Sequence, residues 1–211
     1  MDERMHNKFS NFTNLSIIII VLFAACSPQS EAAADISGID FAEGDLVFRR
    51  GLGAKSRAVI IADPEGIYSH SGIVVKFDSA FMIVHIAPGE RENGETEDCI
   101  KMESPKQFFS TDRTQRGAVY RLRDSLDIRS IAARQAVRLW HKGVLFDHDY
   151  ALEDSTKMYC TELVWYIYQL AGKDVTNGKR SEVANMPVFS GSFIFPSDIY
   201  NNENSSLIYK F

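Results

Sequence analysis

The sequence predicts an α+β domain: a small, mostly antiparallel sheet, or a partial barrel made from one, packed on an amphipathic helix that begins at a cysteine. Three observations predict it. Leu163, Val164, Ile167, Leu170 and Ala171 recur at helical spacing after Cys160, and Gly172 stands where a helix-ending glycine belongs. Two apolar runs, Ser69 to Lys76 and Phe81 to Ala87, flank the turn signal Asp78-Ser79 and read as paired strands. Further short strand runs are scattered between turns, giving about five strands, a size typical of sheets.

Composition sets the bounds. A chain of 211 residues is one ordinary domain with a terminal extension, and at 45% hydrophobic it can bury its own core. A formal charge of -5 leaves no basic footprint, which argues against nucleic-acid binding. Of the three cysteines, Cys26 lies in the leader. Cys99 and Cys160 make no disulfide framework, and Cys99 reads as a lone thiol in a Glu-rich stretch.

Residues 1–26 form a targeting segment. Arg4 and Lys8 precede the apolar run Leu15 to Phe23, which is short for a bilayer span and is followed by small residues, as in a signal peptide. Residues 27–40 then read as a flexible tether, and the domain runs from 41 to 211. Gly44 to Arg49 is a strand entered through a turn. Ser56 to Ala62 is a short helix ended by Asp63-Pro64-Glu65-Gly66. The hairpin follows. Centred on Asp78-Ser79, it sets Gly72 opposite His85 and leaves His70 and His85 as diagonal neighbours on one face, ~7 Å apart at the backbone. A one-residue slip would separate them.

From Pro88 to Arg116 the chain is polar and turn-rich, and Gly89 to Asp98 reads as a solvated acidic tip. Pro105 to Phe109 is a helical turn, and Ala118 to Leu122 is a strand. Asp124-Ser125 caps a helix through Ile128 to Trp140 that stops at Gly143. A polar loop, Lys173 to Ser181, leaves the cysteine helix, and the last strand is Ser192 to Phe195.

The chemistry centres on Cys160. A helix N-terminus offers unpaired N–H groups and a partial positive charge, both of which favour a thiolate. A nucleophile also needs a base and a group to orient that base. His70 can take the thiol proton, and His85 can hold the other ring nitrogen of His70. The plainer alternatives are a buried structural thiol and ordinary strand histidines. A zinc site of Cys160, His70 and His85 is a third use of the same residues, but none of them shows the close spacing of a metal motif. His141 and His148 sit in polar company, and His6 lies in the leader.

Two stretches resemble known families. Ala24-Ala25-Cys26 resembles the lipobox of bacterial lipoproteins, which implies cleavage before Cys26 and a lipid anchor on its sulfur. Gly44-Asp45-Leu46-Val47-Phe48, then Ser69-His70-Ser71-Gly72-Ile73, then Tyr159-Cys160-Thr161-Glu162-Leu163-Val164 resemble the YiiX/YaeF-like proteins. These are circularly permuted papain-like members of the NlpC/P60 superfamily. The resemblance implies that fold, Cys160 as nucleophile, His70 as general base and His85 as the third polar residue. Many relatives carry a glutamate in that third place. Phe146-Asp147 matches a Tyr-Asp pair that precedes the cysteine helix in relatives, which makes Asp147 and Tyr159 candidate substrate contacts. Asp147 reads equally as a loop or capping residue.

The expected protein is therefore an exported, lipid-anchored cysteine amidase or peptidase of the bacterial cell envelope, facing the periplasm or exterior. It needs no cofactor. Its expected substrates are peptides, amino-acid amides or cell-wall fragments. The alternatives are a non-catalytic amino-acid or peptide binding module on the same fold, and an acyltransferase or lipid hydrolase.

Overall fold

The computed structural model describes residues 35–211, apart from 92–93, 153–154 and 185–190. The signal peptide, the lipobox at Cys26 and tether residues 27–34 lie outside the described residues. The described elements are β1 (Leu46–Gly51), α1 (Ala54–Ala62), β2 (His70–Phe77), β3 (Ala80–Ile86), β4 (Ile100–Glu103), α2 (Pro105–Phe108), β5 (Thr114–Leu122), α3 (Leu126–Lys142), β6 (Leu145–Phe146), β7 (Lys157–Met158), α4 (Cys160–Leu170), β8 (Ser181–Val183), β9 (Gly191–Phe193), α5 (Pro196–Tyr200) and β10 (Ser205–Lys210).

Six strands form one open sheet in the order β10-β5-β1-β2-β3-β4, with every neighbour antiparallel. Side chains alternate between its faces, as the strand period of two requires. Leu46, Phe48, Ile73, Val75, Val84, Ile86, Ala118 and Leu122 point into the main core with α3 and α4. Val47, Val74, Ile83 and Val119 point the other way, into a smaller cluster closed by Phe108 and Phe109. Burial on both faces explains why β2 reads as a nearly continuous apolar run.

Local chemistry sets the element ends. Ser125 accepts a hydrogen bond from the Ile128 N–H, and Gly143 ends α3 in the left-handed region. Asp78 and Ser79 both take positive φ, the backbone of a tight hairpin turn. The Gly44-Asp45 pair is structural. Gly44 has a φ of +78° and sits so close to α3 that an added Cβ would fall 2.6 Å from the Arg129 Cβ. Its carbonyl accepts from the Tyr168 hydroxyl, and Asp45 accepts from Arg121 and the Ala42 N–H.

Three expectations need correction. The sheet has six strands because β4 and β10 pair at its two edges. β4 has only four residues and β10 is flanked by polar residues, so each draws its strand character from its partner. The expected tether is already docked at its C-terminal end: Ile36 and Ile39 pack on the smaller cluster, and Arg121 donates to the Asp40 carbonyl. The expected solvated tip is anchored, since Asp98 is buried and accepts from the Gly89 N–H and Arg91.

Candidate active site

The hairpin β2–β3 sets the first part of the site. Gly72 pairs with His85, so His70 and His85 lie diagonally on the same face. The distance between Nε2 of His70 and Nδ1 of His85 is 3.0 Å. Gly72 makes this possible. A Cβ there would approach the His85 Cβ to 3.1 Å and the Ile83 Cγ2 to 2.9 Å.

β4 adds a residue the sequence did not announce. His85 pairs with Lys101, which puts Glu103 one diagonal further along the same face. Oε1 of Glu103 lies 3.0 Å from Nε2 of His85. The three side chains thus form a diagonal row across three strands. Glu103 also receives Arg113, at 2.7 and 2.8 Å to its two oxygens. Arg113 reaches Glu90 at 2.8 Å, and Glu90 also pairs with the buried Arg49. Arg49 stands directly opposite His70 in the β1–β2 register.

Phe108, at the end of α2, is the platform under this row. The His70 ring stacks on it at 5.7 Å, the His85 ring meets it edge-on at 5.1 Å, and the Arg49 guanidinium lies 4.6 Å over its centroid. Ser104 and Gln107 hold α2 in place through a capping box.

The charges around the row favour one set of proton positions. Paired with His85 and Arg113, the Glu103 carboxyl is held down to about 2 and stays anionic. An anion beside Nε2 of His85 keeps a proton there, which leaves Nδ1 as an acceptor. Nε2–H of His70 then donates to it, and the lone pair of His70 sits on Nδ1. Burial lowers the His70 pKa well below 6.5, and Arg49, His85 and Arg113 lower it further. Burial also lowers His85, against the pull of Glu103. Both rings rest neutral near pH 7.

Cys160 opens α4 and lines the same cavity as His70. The sequence led us to expect a thiol depressed by the helix start. Burial wins instead and pushes the Cys160 thiol up, although Ser71 and the backbone amides at the helix start pull it down. The cavity thus holds a neutral thiol at Cys160 and a neutral imidazole at His70.

Tyr159 and Asp147, expected as substrate contacts, are occupied by the protein itself. Tyr159 lines the cavity, but its hydroxyl accepts from the Ile194 N–H at 2.9 Å. Thr161 donates to the Ile194 carbonyl, so the start of α4 grips the 193–195 segment from both backbone groups. Asp147 is buried and accepts from the Asp149 N–H at 2.9 Å and from the Ala151 N–H. It holds the turn that carries Tyr150, with φ +56°, to the cavity wall. His148 contacts Asp98, and His141 lies in the last turn of α3.

Among the described residues, the set a metal could use differs from the Cys160, His70 and His85 alternative. Ligand atoms of His85, Glu90 and Glu103 lie within 4.8 Å of one another, without Cys160 or His70. Both carboxylates are already matched by Arg49 and Arg113, and Nδ1 of His85 is engaged by His70. A dication would have to displace two guanidinium groups, so this donor set does not fit a resident metal.

Residues 40–188 match the model of a family described as permuted papain-like amidase enzymes, YaeF/YiiX. Among solved structures, the chain is similar to a protein reported as the metalloprotein yiiX from Escherichia coli O157:H7. The two share 19% identity with a TM-score of 0.63, over 80% of this chain and 97% of that one. No curated protein sequence matches the chain.

Proposed function

The chain belongs to the permuted papain-like amidase family, YaeF/YiiX, and from that premise we propose that it is a cysteine amidase whose nucleophile is Cys160 and whose base is His70. The observation that carries this reading is the diagonal row: His70 Nε2 at 3.0 Å from His85 Nδ1, and His85 Nε2 at 3.0 Å from Glu103. A ring held in one tautomer by a second ring and a fixed carboxylate is built to receive a proton.

The steps follow from the charges. Because both partners rest neutral, attack begins as the Cys160 proton moves to Nδ1 of His70. The sulfur bonds to the amide carbonyl carbon. The oxyanion is met by the Cys160 N–H at the helix start. His70 is now a cation, stabilised through His85 by Glu103. It returns its proton to the leaving nitrogen as the C–N bond breaks. Water, deprotonated by His70, then cleaves the thioester. This is general-base catalysis and not a preformed ion pair.

The proposed setting is outside the cytoplasm. The lipobox-like Ala24-Ala25-Cys26 supports export with a lipid anchor, and the family supports peptide, amino-acid amide or cell-wall fragment substrates. A Cys26→Ser variant that still incorporated labelled fatty acid would end the anchor proposal.

The catalytic reading is tested by trapping. The protein is mixed with activated acyl esters, and the acyl group is located by mass spectrometry. An adduct on Cys160 that is lost in His70→Ala supports the enzyme. Ligand binding with no adduct at Cys160 would instead indicate a binding module.

A further inference from the structure

Ser71 follows the base in the chain and takes no part in the row. Its side chain is fully buried, and its Oγ has no hydrogen-bond partner among the described residues. A buried hydroxyl without a partner is a cost to the fold and asks for a reason. Stability supplies none, since alanine at the same place would bury nothing polar.

The strand shows where the hydroxyl points. Neighbours along a strand face opposite ways, so Ser71 turns away from the face that carries His70, His85 and Phe108. It stands opposite Phe48 of β1, on the face of the main core. Helix α4 packs on β2 across that core, and Cys160, its first residue, packs against the same core. The backbone agrees. The Val74 N–H donates to Asp45 beside β1, and strand N–H groups alternate between neighbours. The Ser71 N–H therefore points to the β3 side, one residue past the last β2–β3 pair, Gly72 with His85. Its N–H and its hydroxyl both act on the Cys160 sulfur, each favouring the anion. Yet the hydroxyl makes no hydrogen bond to the thiol. A thiol sulfur is a weak acceptor, whereas an ionised acceptor makes a strong bond.

Resting on the amidase reading above, we infer that Ser71 is a further catalytic group: its hydroxyl has no partner while Cys160 is a thiol, and donates to the sulfur once the proton has left for His70. Ser71 transfers no proton. The Sγ–H bond breaks, the proton goes to Nδ1 of His70, and the charge left on sulfur gains the Ser71 O–H as a donor beside the helix-start amides. As sulfur bonds to the carbonyl carbon, the charge passes to the oxygen and the Ser71 hydrogen bond is given up. An interaction made only in the charged stage lowers a barrier without tightening the resting state. Besides His70, two titratable side chains feel the charge on Cys160, Tyr150 and Tyr159. Burial pushes Tyr150 up to about 12 and Tyr159 up as well, so neither phenol carries charge near neutral pH.

The test is alkylation of the full chain by iodoacetamide across pH. Mass spectrometry reads Cys160, with Cys99 as an internal control. One hydrogen bond to a charged group is worth about one pKa unit, so the Cys160 midpoint should rise by about that much in Ser71→Ala. A more basic thiolate is also the better nucleophile, by about threefold per unit. Near neutral pH the variant should therefore react about threefold more slowly than the parent, and at high pH about threefold faster, so that the two profiles cross. Damage to the site would slow the reaction at every pH. Ser71→Ala takes one buried atom from a strand and adds none, and its unfolding midpoint should equal or exceed the parent's. Ser71→Thr keeps the hydroxyl and should keep the parent's alkylation midpoint. Acylation by p-nitrophenyl acetate, read in parallel as p-nitrophenolate release, should fall about threefold near neutral pH in Ser71→Ala. An unmoved Cys160 midpoint in Ser71→Ala, or a profile lowered throughout, would overturn the role of Ser71 and leave the amidase intact. A midpoint that moves as expected, in a parent protein whose Cys160 takes no acyl group, would sink the amidase reading and the catalytic use of Ser71 while its hydrogen bond to the thiolate stood.

Discussion

The two sides of the cavity are held by different forces. On the charged side, Arg49, Glu90, Arg113 and Glu103 alternate in sign, and each fixes the next. On the apolar side, the 193–195 segment is fixed by hydrogen bonds to the Ile194 backbone. The first arrangement sets where protons sit. The second sets only shape and size. Changes on the charged side should therefore alter rate and pH dependence, and changes on the apolar side should alter stability and leave the pH dependence in place.

The largest break in that comparison is His70→Ala. It removes the base and should slow acylation of Cys160 by about 10²–10⁴, measured by release of p-nitrophenol. A loss below tenfold would exclude His70 as base.

Next is Glu103→Gln. The shape is retained but the anion that holds the proton on Nε2 of His85 is lost, so we expect roughly a tenfold fall in kcat/KM. KM should change little, since Glu103 does not line the cavity. A fall carried entirely by KM would instead make Glu103 a substrate contact.

Stability against pH sharpens the contrast further. Glu103 is lowered from 4.5 to about 2 on folding. Its stabilisation is fully present above 4.5 and is lost as pH falls through the window from 4.5 to about 2. Denaturant titrations across that window should show a steep loss in the parent protein and a shallower one in Glu103→Gln. Activity should persist lower than an ordinary histidine allows. His70 is lowered well below 6.5, the neutral form is the active one, and so the acid limb of kcat/KM should fall well below pH 6.5.

On the apolar side, Tyr159→Phe removes the acceptor of the Ile194 N–H. A buried donor left unpaired costs about 1–3 kcal/mol, to be read by denaturant unfolding. The acid limb of kcat/KM should stay in place. The smallest effect expected is that of a chelator, which should leave acylation unchanged because the carboxylates near His85 are matched by arginines. Loss of activity in EDTA, restored by a divalent metal, would reverse that assignment.

Much of this was legible in the chain. The hairpin could be placed because a two-residue turn between apolar runs fixes the register, and the register puts Gly72 opposite His85. The helices α3 and α4 could be placed from their period and end residues. Glu103 could not, although it completes the row. It lies in a polar stretch where β4 has no strand pattern of its own, and only pairing with β3 turns Glu103 onto the histidine face. Phe108 was visible as part of a helical turn, but not as the platform for Arg49, His70 and His85. Glu90 read as part of a solvated tip because its partners, Arg49 and Arg113, are 41 and 23 residues away.

The sequence by itself determined the α+β class, the cysteine at a helix start and two histidines on one face of the hairpin. Those features depend on neighbours a few residues apart, where period and turn geometry act. The tertiary structure decided the charge state of the site and the character of its two sides. Whether Cys160 rests as thiol or thiolate is a contest between helix amides and burial, and burial depends on everything packed around the sulfur. The ion-pair chain and the apolar wall likewise join segments far apart in sequence, and no local pattern encodes a partner that only folding brings near.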